Sequence, residues 1–241
     1  MDIALKGSKM LAKHIVFLPG LGTDERLFNE QLTELKKKYT THVIVCDQHT
    51  NVSDHAEFVL KQAPKNFVLV GHSFGGWVAQ WMAIKAPERV SHLILIGTGT
   101  GYLTPELKAT FTEMLDAFQN NAQVSFFDKI RPQTVSRKKI KDEKLMGTLK
   151  SMSSEFSVQG LINQALTDLQ GGDTTEELPN IIARTLLIHG QEDKFYENDM
   201  QVINEKIPNS NYIEIPDCGH MLPLEKGKTI STLIKLWINM N

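Results

Sequence analysis

The chain has 241 residues, 41% of them hydrophobic and 22% charged, with 26 lysines and arginines set against 28 aspartates and glutamates. That composition is ordinary for one soluble α/β domain, and a net charge of −2 excludes the strong basic bias of a nucleic-acid or anionic-membrane binder. Two cysteines, Cys46 and Cys218, are too few for a disulfide framework, and no run approaches the ~18 apolar residues of a membrane span.

The opening residues contain no long apolar stretch of the secretory kind, so a cytoplasmic location is expected. Residues 3–5 are a candidate for a short leading strand. The first clear strand is 14–18, His-Ile-Val-Phe-Leu, which runs into Pro19-Gly20-Leu21-Gly22. Thr23 or Asp24 then caps a helix with Leu27, Phe28, Leu32 and Leu35 at helical spacing. A strand over 42–46 ends at Asp47, and a helix over 54–61 is stopped by Pro64. The apolar run from Phe67 reads as a buried strand, followed abruptly by a helix that ends at Pro87. Another strand, 91–97, lands in Thr98-Gly99-Thr100-Gly101. Short, fully apolar strands alternating with helices predict a mostly parallel twisted sheet covered by helices on both faces.

The alternation breaks after Gly101. Residues 102–178 hold no convincing strand, only amphipathic segments near 104–118, 124–130, 137–152 and 154–169. They predict a helical insertion or lid at 102–178 within a core made of 1–101 and 179–241. The charge run from Arg137 to Lys144 reads as a solvated helix face. The rhythm resumes with a strand at 184–190, a helix near 198–206, a strand at 211–215, the loop Pro216-Asp217-Cys218-Gly219-His220 and a C-terminal helix.

At the turn after the third strand stands Gly71-His72-Ser73-Phe74-Gly75, a G-x-S-x-G elbow between strand and helix. Such a turn strains the serine backbone and crowds the residues two before and two after it, which is why both are glycine. Ser73, Asp193 and His220 each fall just beyond a predicted strand end, and in a parallel sheet those ends share one edge. A serine hydroxyl needs a neutral imidazole to accept its proton, and that imidazole needs a carboxylate to orient it.

With Ser, Asp and His in that chain order, the sequence resembles the α/β-hydrolase family, especially its small, lidded bacterial carboxylesterase-type members. The resemblance rests on Pro19-Gly20, Gly71-His72-Ser73-Phe74-Gly75-Gly76, the helical insertion, Leu187-Ile188-His189-Gly190-Gln191-Glu192-Asp193, and Gly219-His220. It implies the α/β-hydrolase fold and a catalytic triad of Ser73 as nucleophile, Asp193 as orienting acid and His220 as base. The backbone amides of Phe74 and Leu21 match the oxyanion hole. Where the family often has His-Gly, this chain has Pro19-Gly20, which leaves Gly22 as the alternative to Leu21. Leu21, Phe74 and Met221, next to the triad in sequence, suggest an apolar acyl pocket. The implied reaction is hydrolysis of a small-molecule carboxylic ester through an acyl-enzyme, with no cofactor and no metal. Acyl-carrier-protein methyl esters are one substrate group. Thioester cleavage and C–C bond hydrolysis use the same triad, and a non-catalytic ligand-binding relative would carry the same residues. Oligomeric state is not encoded in these motifs.

Other residues have simpler readings. Glu192, Asp199 and Asp217 compete with Asp193 as the acid. His72 shapes the elbow, His189 packs at a strand end, and Cys218 is a small apolar loop residue. Asp47, His49, Asp54 and His55 fit no tight metal-ligand spacing. Gly20-Leu21-Gly22 resembles part of a dinucleotide fingerprint, but Glu25 stands where the third glycine belongs and would repel a pyrophosphate.

Overall fold

A computed structural model describes residues 13–240; the leading strand expected at 3–5 lies outside the described residues. Among the described residues, six strands form one wholly parallel sheet: β1 (His14–Leu18), β2 (Thr40–Val43), β3 (Phe67–His72), β4 (Val90–Ile96), β5 (Arg184–Gly190) and β6 (Ser210–Ile215), in the order β2-β1-β3-β4-β5-β6. From β1 the chain crosses outward to β2, then returns past β1 to β3 and continues in the opposite direction. Connections therefore diverge between β1 and β3, and a crevice opens at their C-terminal ends, where open parallel sheets bind ligands. Leu18 is in register with Gly71, so the Pro19–Gly22 loop and the serine elbow emerge side by side.

Strand residues alternate between two apolar layers. Ile15, Phe17, Val70, Ile94 and Ile188 face α1 (Asn29–Leu35), α9 (Leu222–Glu225) and α10 (Gly227–Asn239). Val16, Leu18, Leu69, Leu95 and Leu187 face α2 (Val52–Gln62), α3 (Phe74–Lys85) and α8 (Glu197–Lys206). Alternation with both faces covered is why these strands read as unbroken apolar runs. Each fully buried side chain of this size stabilises the fold by roughly 1.5–3 kcal/mol.

Between β4 and β5 lie α4 (Pro105–Gln119), α5 (Gln123–Ile130), α6 (Glu143–Glu155) and α7 (Val158–Gln170). Met114, Phe118, Phe126, Phe127, Leu161 and Ala165 give α4, α5 and α7 a small core of their own, while Leu145, Leu149 and Met152 of α6 join the layer that holds Ile15 and Phe17. Two local expectations are corrected. The stretch after Thr23 starts as a 3-10 turn, Glu25–Phe28, capped by Asp24, before α1 begins. The basic run is also no single helix face: Arg137–Lys139 forms a 3-10 turn, and Asp142 caps a new helix from Glu143. Asp142 accepts the Leu145 amide and so starts a new helix, and two of the run's charges are paired, Lys139 with Asp142 and Lys138 with Asp217 of the loop after β6.

Candidate active site

Ser73 sits between β3 and α3 with φ of 52°, a left-handed backbone that non-glycine residues rarely adopt. The strain, of order 1–3 kcal/mol, is held by the surrounding bonds. The Ser73 amide donates to Ile96 O at 3.0 Å, and the Thr98 hydroxyl donates to Ser73 O at 2.7 Å. Close packing makes the flanking glycines necessary. A Cβ on Gly71 would lie 2.5 Å from Gly75 O, and one on Gly75 would lie 2.2 Å from Leu18 O. Phe74 begins α3, so its amide belongs to the first helical turn, whose N–H groups have no partner within the helix.

Two further loops meet the elbow. The Glu192 amide donates to Cys218 O at 2.8 Å, joining the loop after β5 to the loop after β6. Across that junction His220 Nδ1 donates to Asp193 Oδ2 at 2.8 Å, and the Phe195 amide donates to Asp193 Oδ1 at 3.0 Å. Burial pushes the Asp193 carboxyl up, but the His220 ring, its hydrogen bond and the Phe195 amide outweigh it, and the net shift is downward. An ionised Asp193 takes the proton-bearing Nδ1, which leaves the lone pair of the neutral ring on Nε2. Gly97, at φ 48°, leaves room for this pair; a Cβ there would lie 2.9 Å from Asp193 Oδ2. His189 adds a second ring, its Nε2 3.7 Å from the same oxygen.

Ser73 and His220 line one cleft of about 190 Å³, walled by Leu107, Phe111, Met114, Phe126, Phe127 and Met221. Leu21 and Phe74 border it as well. A narrower arm of about 40 Å³ leads from Ser73 past Thr98, Gly99 and Trp77. The two arms share Ser73, Phe74, Leu107, Phe111, Asp168 and Tyr196. The Gly22 amide is already engaged, donating to Gln164 Oε1 at 3.0 Å, while Gln164 Nε2 donates to Cys46 O at 2.9 Å. Helix α7 is thereby pinned to the loop after β1.

Of the competing acids, Glu192 accepts the Arg137 amide, Asp199 accepts the Thr100 amide and Asp217 pairs with Lys138. Only Asp193 among these four hydrogen-bonds to His220. Burial pushes the Cys218 thiol up, away from the thiolate a nucleophile needs. His55 stacks edge-on against His49 and Phe74, and its Nε2 lies 3.2 Å from Thr167 Oγ1. Sequence reasoning missed Asp168, Tyr196 and Gln164 at this site. The only signal for Gln164 and Asp168 is their i, i+4 spacing on one side of a predicted helix.

The α/β-hydrolase-fold family model matches residues 48–227. A pimeloyl-[acyl-carrier protein] methyl ester esterase of Pectobacterium carotovorum is 24% identical over 225 residues, covering 86% of each chain. A 2-hydroxymuconate semialdehyde hydrolase of Pseudomonas putida is 28% identical over 190 residues, covering 69% of this chain and 60% of its own. Among solved structures, a thermophilic esterase from Thermogutta terrifontis superposes with a TM-score of 0.84 at 22% identity, covering 93% of this chain and 89% of that one.

Proposed function

The chain belongs to the α/β-hydrolase family, and on that premise we propose that it is a serine hydrolase of carboxylic esters, working through Ser73, His220 and Asp193. The carrying observation is the buried His220–Asp193 pair, 2.8 Å apart, at the same cleft as a serine on a strained elbow. His220 Nε2 takes the hydroxyl proton as Ser73 Oγ attacks the ester carbonyl carbon, and the carbonyl electron pair moves onto oxygen. The amides of Phe74 and Leu21 hold that oxyanion. Collapse expels the alkoxide, which leaves as alcohol with the proton from Nε2. Water, deprotonated by the same nitrogen, then releases the acid and restores Ser73.

Residues 102–178 act in this reading as a lid over a core of 1–101 and 179–241. Leu107, Phe111 and Asp168 from the one part face Ser73 from the other across a shared cavity. The apolar lining, with Met221 and Phe74 in it, suits an aliphatic acyl chain, and the ester preference is supported by the named activity of the acyl-carrier-protein methyl ester esterases. An ester carried on an acyl-carrier protein is therefore among the substrates to test. Similarity to the muconate semialdehyde hydrolase keeps C–C bond hydrolysis as a second reading of the same residues. The buried free thiols of Cys46 and Cys218 support a cytoplasmic setting.

Labelling with a fluorophosphonate, followed by peptide mapping, tests the assignment. The adduct is expected on Ser73, and Ser73→Ala is expected to lose label and to lower methyl and p-nitrophenyl ester turnover by about 10⁴-fold or more. Full turnover by a folded Ser73→Ala protein overturns it.

A further inference from the structure

The cleft is lined mainly by apolar side chains, and the polar ones on its wall, among them Arg131, Thr134, Ser153 and Asp199, are bonded to protein partners; one acid beside Ser73 is left unused by the proposed chemistry. Asp168 stands in the last turn of α7 and borders both arms beside Ser73. Its side chain makes no hydrogen bond or ion pair with any described residue. Tyr196 borders both arms as well, beside Ser73 and Asp168.

Its surroundings disfavour a charge on Asp168 in two ways. Burial raises its pKa well above the ordinary carboxyl value. A helix C-terminus carries partial negative charge, which disfavours a carboxylate there. Burial, and then Asp168 itself, also push the Tyr196 hydroxyl up, so neither group relieves the other by ionising. The backbone that carries it is held as well, because α7 is fastened at both ends of this stretch. Gln164, one turn before, is bonded to Gly22 and Cys46, and Gly172 O accepts the indole N–H groups of Trp77 at 3.0 Å and Trp81 at 3.1 Å. A half-buried carboxyl that borders the cleft without a protein partner is open to a donor brought in by a ligand.

We propose that Asp168, with Tyr196 beside it, is the specificity point of the cleft, and that the substrate is an ester bearing a hydroxyl or ammonium group close to the scissile carbonyl. The donor completes the carboxyl's hydrogen bonding as the ester settles between the two arms. This deepens the reading of Ser73 as nucleophile and rests on it for turnover. An unsubstituted aliphatic ester leaves the carboxyl unpaired, and pockets built around a hydrogen bond discriminate strongly against ligands that lack it. A hydroxyl can donate to the carboxyl in either protonation state, whereas an ammonium favours the ionised form.

The test compares methyl butyrate, methyl 3-hydroxybutyrate, methyl 3-methoxybutyrate and methyl 3-aminobutyrate, together with 2-hydroxyethyl and 2-methoxyethyl butyrate. Substituents on both sides of the ester are thereby sampled. Hydrolysis is followed by proton release with wild type, Asp168→Asn and Asp168→Leu. In wild type, kcat/KM for at least one hydroxyl or amino ester should exceed that of its unsubstituted or methoxy counterpart by about tenfold or more. Asp168→Leu should collapse that ratio to near one without lowering the urea midpoint. A preference for the amino ester that grows with pH and is lost in Asp168→Asn identifies the ammonium; a pH-independent hydroxyl preference identifies the alcohol. Equal ratios in all three proteins, or a lower urea midpoint for Asp168→Leu with the ratio kept, overturn the proposal. If no ester is hydrolysed, the reading of Ser73 fails separately. The intact panel is then titrated by ligand-observed NMR, and binding of the donor-bearing esters that does not depend on Asp168 overturns the specificity claim.

Discussion

His72 donates its Nε2–H to the backbone carbonyl of His220 across 2.9 Å, joining the residue before the elbow serine to the residue proposed as its base. A carbonyl oxygen can only accept, so this bond sets the His72 tautomer and leaves Nδ1 as a lone pair. Burial, followed by the charge of His220, lowers the His72 pKa to about 3, and the ring stays a neutral donor at ordinary pH. The two rings lie 4.8 Å apart between centroids.

His72 is accordingly a positioning residue for the loop after β6. His72→Phe keeps a flat ring of similar volume and removes the donor, leaving a buried carbonyl unpaired. Stability should fall by about 1–3 kcal/mol in urea titration. Ester kcat should fall about tenfold with KM little changed, because the lost bond aims a side chain rather than binding substrate. An unchanged kcat in a destabilised protein would confine His72 to packing.

Gln164 fastens α7 to two loops of the sheet edge through Gly22 and Cys46. Gln164→Leu unpairs both backbone groups and should cost about 2–4 kcal/mol. It should also lower kcat, since the Gly22 amide adjoins the proposed oxyanion donor Leu21. Gln164→Glu still accepts from Gly22 but no longer donates to Cys46, so its kcat should lie between those of wild type and Gln164→Leu. Steady-state kinetics on the three proteins give the order directly. Equal kcat for both variants would mean that the Gly22 bond does not position the loop.

Acid should destabilise the fold through its buried histidines. Burial is the main cause of the low His55 pKa, about 4, as it is for His72 at about 3. In the unfolded chain both rings titrate near 6.5, so below that pH the unfolded state binds more protons than the folded one. Their stabilisation is complete above about pH 6.5 and is lost as pH falls through the folded values. Between pH 6 and 4 each ring contributes a slope of up to about 1.4 kcal/mol per pH unit. Urea midpoints measured across that window should fall steadily, and His55→Asn should show the shallower slope. A variant slope equal to that of wild type would rule out His55 as a source.

The elbow was readable from sequence because its constraint is local. Gly71, Ser73 and Gly75 follow from one turn, and the collisions they avoid lie within a few residues or with the neighbouring strand. The sheet was readable for a related reason: strands covered on both faces are apolar at every position. Boundaries shifted where hydrogen bonding overrode pattern. β2 pairs from Thr40, ahead of the apolar run expected at 42–46, because Thr40 is in register with His14 on β1.

Sequence alone determined the alternation of strands and helices, the serine turn and the few acids that stand beside strand ends. Tertiary structure decided which of them meet: Asp193 and not its neighbour Glu192 bonds to His220, although both side chains leave the same short loop. It also brought Asp168 of α7 and Tyr196 of the loop after β5 to the serine, and Gln164 of α7 to the loops after β1 and β2, although an apolar helix pattern marks an inner face without saying what that face covers. The physical reason is range. Backbone sterics and burial periodicity act over a handful of residues, while the partner of a polar side chain in a cavity depends on how distant elements pack.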